Sequence, residues 1–147
     1  MNQYIKQYQK NQIETASQEQ ILIMLYNGAI QFLNIAKKAM EEKDIETSHN
    51  NIINAQKIIT EFQTTLDMEN GGEIAQNLYG LYAYLHKRLV EANIHKNTEA
   101  LEEVLTHLKD LRDTWLKAIK IANQERAQNE DREDTEQETH DWSVGDD

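Results

Sequence analysis

Along most of the first 122 residues, apolar side chains recur at intervals of three and four, the period of an α-helix, and they do so in four blocks. In the first block Leu22, Leu25, Ala29, Phe32 and Ala36 form one stripe, while Ile21, Ile23, Tyr26, Ile30 and Leu33 fall beside or outside it. Ser17 followed by Gln20 is a capping box, so this helix is predicted over about residues 17–42. In the second block Ile45, Ile52, Ile59 and Leu66 lie seven apart, Ser48, Ala55 and Phe62 fill the other seam position, and Asp44 stands at the cap. The third, about residues 72–94, carries Ile74, Leu78, Leu81, Leu85 and Ala92 on one face, widened by Tyr82 and Leu89. The fourth follows a cap at Asn97 or Thr98 and runs through Leu101, Val104, Leu108, Leu111, Trp115, Ala118 and Ala122.

The breaks are short: E-E-K-D, then D-M-E-N-G-G-E with its turn at Gly71 and Gly72, then H-K-N-T. A short loop cannot carry the chain back along a helix of this length, so neighbouring helices must reverse direction. The predicted fold is all-α, an antiparallel four-helix bundle. Gly28, in mid-helix, costs about 1 kcal/mol relative to Ala and is read as permitting close approach of a neighbouring backbone.

The first helix carries more apolar surface than one buried stripe requires. Two readings fit it. Either it is a central helix buried on several sides, or part of its surface receives another polypeptide. On the second reading Ile23, Tyr26 and Ile30, with Tyr79, Tyr82 and Tyr84 of the third helix, are candidate contacts, because a tyrosine can bury its ring and keep its hydroxyl wet. On the first, the tyrosines ring an ordinary bundle.

Composition narrows the setting. The chain has 147 residues, no Cys and no Pro, and only five Gly, which favours a helical domain and excludes disulfides and thiolate zinc sites. Its longest apolar run, residues 21–26, is far short of the roughly 20 residues that span a membrane, and the N-terminus has no apolar h-region, so a cytoplasmic location without membrane insertion is expected. The net charge of −11 is concentrated at the end: residues 125–147 hold ten acids against two arginines. That segment has little to bury and is read as a disordered acidic tail. Three parts follow: an N-terminal segment (1–16), a bundle (17–124) and the tail (125–147). A protein of this charge repels phosphate, so no nucleic acid is expected as partner. In residues 1–16, Tyr4, Ile5, Tyr8 and Ile13 form an intermittent apolar strip, either docking in a groove or fraying.

Catalytic chemistry finds no footing in these residues. A di-iron bundle needs two Glu-x-x-His pairs, and the chain has one, Glu46 with His49, at the start of the second helix. The serines are Ser17, Ser48 and Ser143, and Gly71-Gly72 lacks phosphate-loop spacing. No enzyme, metal or cofactor is expected. Protein recognition remains, with a self-associating structural bundle as its rival.

Several stretches, taken in order, resemble one family. They are T-A-S-Q-E-Q-I-L-I-M-L-Y-N-G-A-I at 15–30, A-Q-K-I-I-T-E-F at 55–62, L-D-M-E-N-G-G-E-I-A-Q-N-L-Y-G-L-Y at 66–82 and L-R-D-T-W-L at 111–116. Together they resemble the FliS family of flagellar export chaperones. The resemblance implies a non-enzymatic cytoplasmic bundle that binds the C-terminal region of flagellin, makes it helical and keeps it from polymerising before export. That task suits the surplus apolar surface, so Ile23, Tyr26, Ile30, Tyr79 and Tyr82 are expected as the client contacts. The resemblance also implies that the N-terminal segment covers the empty groove and helps engage a flagellar export-gate membrane protein, with Ile5 and Tyr8 at the gate-contact positions. The free protein is expected as a monomer or weak homodimer. Two features depart from the pattern: Gln18 stands where the family often has Pro, and the acidic tail with Trp142 has no counterpart.

Overall fold

The computed structural model describes residues 17–144, with side chains through residue 137. Tyr4, Ile5, Tyr8 and Ile13 lie outside the described residues, as does the side chain of Trp142. Among the described residues there are four helices and no strand: α1 (Gln18–Glu41), α2 (Ile45–Thr65), α3 (Gly72–His95) and α4 (Thr98–Val144). The fold is the all-α, antiparallel four-helix bundle that the periodicity implies.

The helix starts follow local chemistry. Ser17 Oγ accepts from the Gln20 backbone N–H at 3.2 Å and Gln20 Oε1 accepts from the Ser17 N–H at 3.1 Å, so both arms of the capping box form even with Gln18 where Pro would begin the helix. Asp44 Oδ1 accepts from the Thr47 N–H, and Asn97 Oδ1 accepts from the N–H groups of Glu99 and Ala100. The paired glycines divide the labour of their turn. Gly72 takes the left-handed conformation (φ 55°), while a Cβ on Gly71 would lie 2.5 Å from the Asp67 carbonyl oxygen.

Four buried seams meet in the core. α1 contributes Tyr26, Ala29, Ile30, Leu33, Ala36 and Ala39; α2 contributes Ser48, Ile52, Ala55, Ile59 and Phe62. From α3 come Ala75, Tyr82, Leu85, Leu89 and Ala92, and from α4 Ala100, Leu101, Val104, Leu105 and Leu108. α1 packs on α2 and α2 on α3. Gln56 of α2 is buried as well, and Ser48 satisfies its hydroxyl by donating to the Ile45 carbonyl at 2.9 Å. The ends of the predicted α2 and α3 seams splay outward: Ile45 is 67 % exposed and Ile74 72 %.

Two expectations are corrected. The predicted core stripe of α1 is rotated: Tyr26 and Ile30, set aside as surplus, are buried, whereas Leu22, Leu25 and Phe32 are only half-buried. Among the described residues, Gly28 has no neighbouring backbone against it. An added Cβ there meets the tip of the Ile58 side chain at 3.6 Å, an ordinary contact.

The compact unit ends at Arg112, and Asp113–Asp147 form a second unit. The second unit continues as helix to Val144, where the composition argued for a disordered tail from residue 125. Side chains 123–137 are all exposed, so this stretch buries nothing, as its polarity requires. Local terms carry the helix there: good helix formers, Arg126 donating to Asn123 Oδ1, and the Thr135 hydroxyl donating to the Asp131 carbonyl.

Candidate partner-binding surface

α1 presents two apolar sides because its apolar residues run in two parallel seams one residue apart. Tyr26, Ala29, Leu33 and Ala36 turn inward. Ile21, Leu25, Gly28, Phe32 and Ile35 repeat the same alternation of four and three along a second side; the first four are half-buried and Ile35 is 41 % exposed. The polar stripe Asn27, Gln31, Asn34 and Lys38 is fully solvent-facing and lies roughly opposite the inner seam. Packing consumes the inner seam and leaves the outer one incomplete.

At the N-terminal end of that outer seam lies a groove of about 490 Å³ between α1 and α2. Gln18, Glu19, Ile21, Leu22 and Leu25 line it from α1, and Glu61, Phe62 and Thr65 from α2. The groove has an apolar floor and a partly acidic rim, suited to the apolar face of a helix. A smaller hollow of about 300 Å³ joins Ile53, Gln56, Lys57 and Thr60 of α2 to His86 of α3.

An aromatic cluster stiffens the floor. Tyr26 stacks on Phe62 with ring centroids 4.4 Å apart, and Phe62 meets Tyr82 at 5.3 Å. The Tyr26 and Tyr82 hydroxyls hydrogen-bond at 2.6 Å, which satisfies polar groups that burial would otherwise leave costly. Of the five residues expected to contact a client, the structure therefore places Tyr26, Tyr82 and Ile30 in the interior, at 0 %, 2 % and 6 % exposure. Ile23 is half-buried and Tyr79 is 46 % exposed. The remaining candidate, Tyr84, is exposed and spends its hydroxyl on Glu103.

The sequence pattern put Leu25 and Phe32 in the core stripe, left Ile21 beside it without naming it a contact, and passed over Ile35. The available signal was the polar stripe at 27, 31, 34 and 38, whose opposite side marks the inward direction.

Electrostatics near the α3 and α4 contact are structural. The Glu103 carboxyl is held below its ordinary value, first by the Tyr84 hydroxyl and then by Arg88, whose Nε donates to it at 2.8 Å. Lys37 is raised by its ion pair with Glu102, which ties α1 to α4. Nothing here resembles a reaction centre: His49 Nδ1 is occupied by the Asn93 amide at 2.8 Å, and among the described residues no group of three His, Asp or Glu side chains could hold a metal ion. The arrangement offers shape and apolar contact.

Comparison with known proteins gives this surface a context. The family model described as "Flagellar protein FliS" matches residues 1–122. The chain belongs to the FliS family. Among FliS relatives, the flagellar secretion chaperone FliS of Bacillus subtilis strain 168 is 38 % identical over 119 residues, covering 81 % of this chain and 88 % of the relative. That of Salmonella typhimurium strain LT2 is 35 % identical over 116 residues, covering 76 % and 86 %. The flagellar secretion chaperone FliSB of Pseudomonas aeruginosa is 37 % identical over 115 residues, covering 76 % and 91 %. The fold is similar to a crystal structure of a bacterial flagellar chaperone, with a TM-score of 0.66 at 17 % identity, covering 80 % of this chain and 96 % of that one. FliS proteins are flagellar secretion chaperones and not enzymes, and among the described residues no helix is long and apolar enough to cross a membrane.

Proposed function

We propose that this chain is a cytoplasmic export chaperone for flagellin. It holds the C-terminal segment of its client as helix along the outer seam of α1, prevents premature polymerisation and hands the client to a flagellar export-gate membrane protein. The observation that carries the reading is the stripe of half-buried Ile21, Leu25 and Phe32 with exposed Ile35 on a chain of a flagellar chaperone family. A helix laid on that stripe completes the burial that packing within the chain leaves unfinished. A client that is disordered when free must spend part of this gain on its own ordering, so the complex is tight enough to protect and loose enough to release.

Within this reading Ile23 and Tyr79 are additional client contacts. Tyr26, Ile30 and Tyr82 act from beneath, fixing the helices that shape the surface. Residues 1–16 cover the empty groove through Tyr4, Ile5, Tyr8 and Ile13, and Ile5 and Tyr8 engage the gate.

Affinity purification of the tagged chain from its own cells, with the bound protein identified by mass spectrometry, tests the proposal. Recovery of flagellin with this chain in a one-to-one complex is the expected result. A tight homodimer in light scattering, carrying no flagellin, supports a self-associating structural bundle and overturns the proposal.

A further inference from the structure

We propose that Gly28 is a specificity-determining notch: the missing side chain in the middle of the outer α1 seam receives one large apolar side chain of the bound helix. The inference rests on the reading of that seam as the client surface.

The bundle gives no reason of its own for a glycine there. Gly28 has no positive φ, and among the described residues an added Cβ meets one neighbour, Ile58 Cδ1, at the ordinary distance of 3.6 Å. Glycine is also a poor helix former, and alanine fits this backbone without strain. The residue is therefore unfavourable to the helix and unexplained by packing among the described residues.

Its position supplies the explanation. Ile21 and Leu25 precede it and Phe32 and Ile35 follow it on one side of α1, at spacings of four, three, four and three. The stripe spans about 21 Å, at roughly 1.5 Å per residue, enough to seat about four turns of a partner helix. Helices pack by setting a side chain of one into a gap among side chains of the other. Four projecting apolar residues with a vacancy at their centre make such a gap, and the Ile58 side chain supplies an apolar wall beside it. The occupant that fits is an amphipathic client helix carrying Leu, Met or Phe at the crossing point. Filling the notch from the chaperone side leaves that residue nowhere to go.

Full-length Gly28→Ala and Gly28→Leu proteins, titrated calorimetrically with a flagellin C-terminal peptide and melted in parallel, test the inference. The expected result is that Gly28→Ala melts at or above the parent temperature and Gly28→Leu keeps its helical circular dichroism. Peptide affinity falls in the order Gly, Ala, Leu, by at least about tenfold for Leu. A peptide with Ala at the one position that fills the notch restores binding to Gly28→Leu. Equal binding by all three proteins overturns the notch and leaves the client surface standing, and so does a lower melting temperature for Gly28→Ala, which would assign the glycine to the fold. Failure of the parent protein to bind the peptide overturns the surface reading and the notch with it.

Discussion

Leu25 and Tyr26 are adjacent in sequence, equally apolar in bulk, and set to opposite tasks. Tyr26 is wholly buried, stacked on Phe62 and hydrogen-bonded to Tyr82, so it joins three helices. Leu25 is half-buried on the wall of the groove between α1 and α2. The difference comes from a rotation of about 100° per residue along α1, and it separates what holds the bundle from what is offered to a partner. A residue's type does not decide its task here; the seam it falls on does.

Substitutions can test that separation. Tyr26→Ala removes a fully buried ring and should cost about 3–5 kcal/mol in denaturant unfolding. Ile30→Glu places a charge in the same interior, so loss of helical circular dichroism is expected, unlike a charge placed on the outer seam. Either variant retaining parent stability would show that the inner seam is not core. Gly71→Ala, remote from both seams, should cost about 1–3 kcal/mol, because its Cβ meets the Asp67 carbonyl oxygen at 2.5 Å. On the outer seam, Leu25→Glu should change stability by less than about 1 kcal/mol and weaken client binding by at least about tenfold. A large stability loss there would move Leu25 to the inside.

Acid provides a weaker and separate test. The folded value of the Glu103 carboxyl lies below its ordinary 4.5, so its contribution is complete above pH 4.5 and is lost as pH falls through the lower folded value. Glu103→Gln should therefore flatten part of the acid-side fall in thermal stability and leave client binding unchanged at neutral pH. Smallest of all, ending the chain after residue 124 should shift the unfolding midpoint of the bundle by no more than about 0.5 kcal/mol equivalent, since side chains 123–137 are exposed.

Most of the fold was legible in the sequence. Ser17 with Gln20, Asp44 and Asn97 mark helix starts because a side-chain oxygen three positions before an orphan N–H acts locally, whatever the rest of the chain does. Gly71-Gly72 was equally plain. The orientation of α1 was less accessible because Leu22, Leu25, Tyr26, Ala29, Ile30, Phe32, Leu33 and Ala36 allow several stripes of helical period, and periodicity alone does not choose among them. The choice is made by neighbouring helices, through contacts such as Tyr26 with Phe62 that join residues far apart in sequence. The acidic segment shows the complementary limit: its composition indicated that it would bury nothing, while its local backbone state follows from helix propensity and neighbouring hydrogen bonds.

The central claim is that the outer seam of α1 seats a flagellin helix, and its most direct test is calorimetry with circular dichroism on one titration of the C-terminal flagellin peptide. The account predicts one-to-one binding at low micromolar dissociation constant or tighter, about −8 kcal/mol, with a gain in peptide helicity that Leu25→Glu removes. A peptide that stays disordered and releases no heat on mixing, or that binds Leu25→Glu as well as the parent, would contradict it.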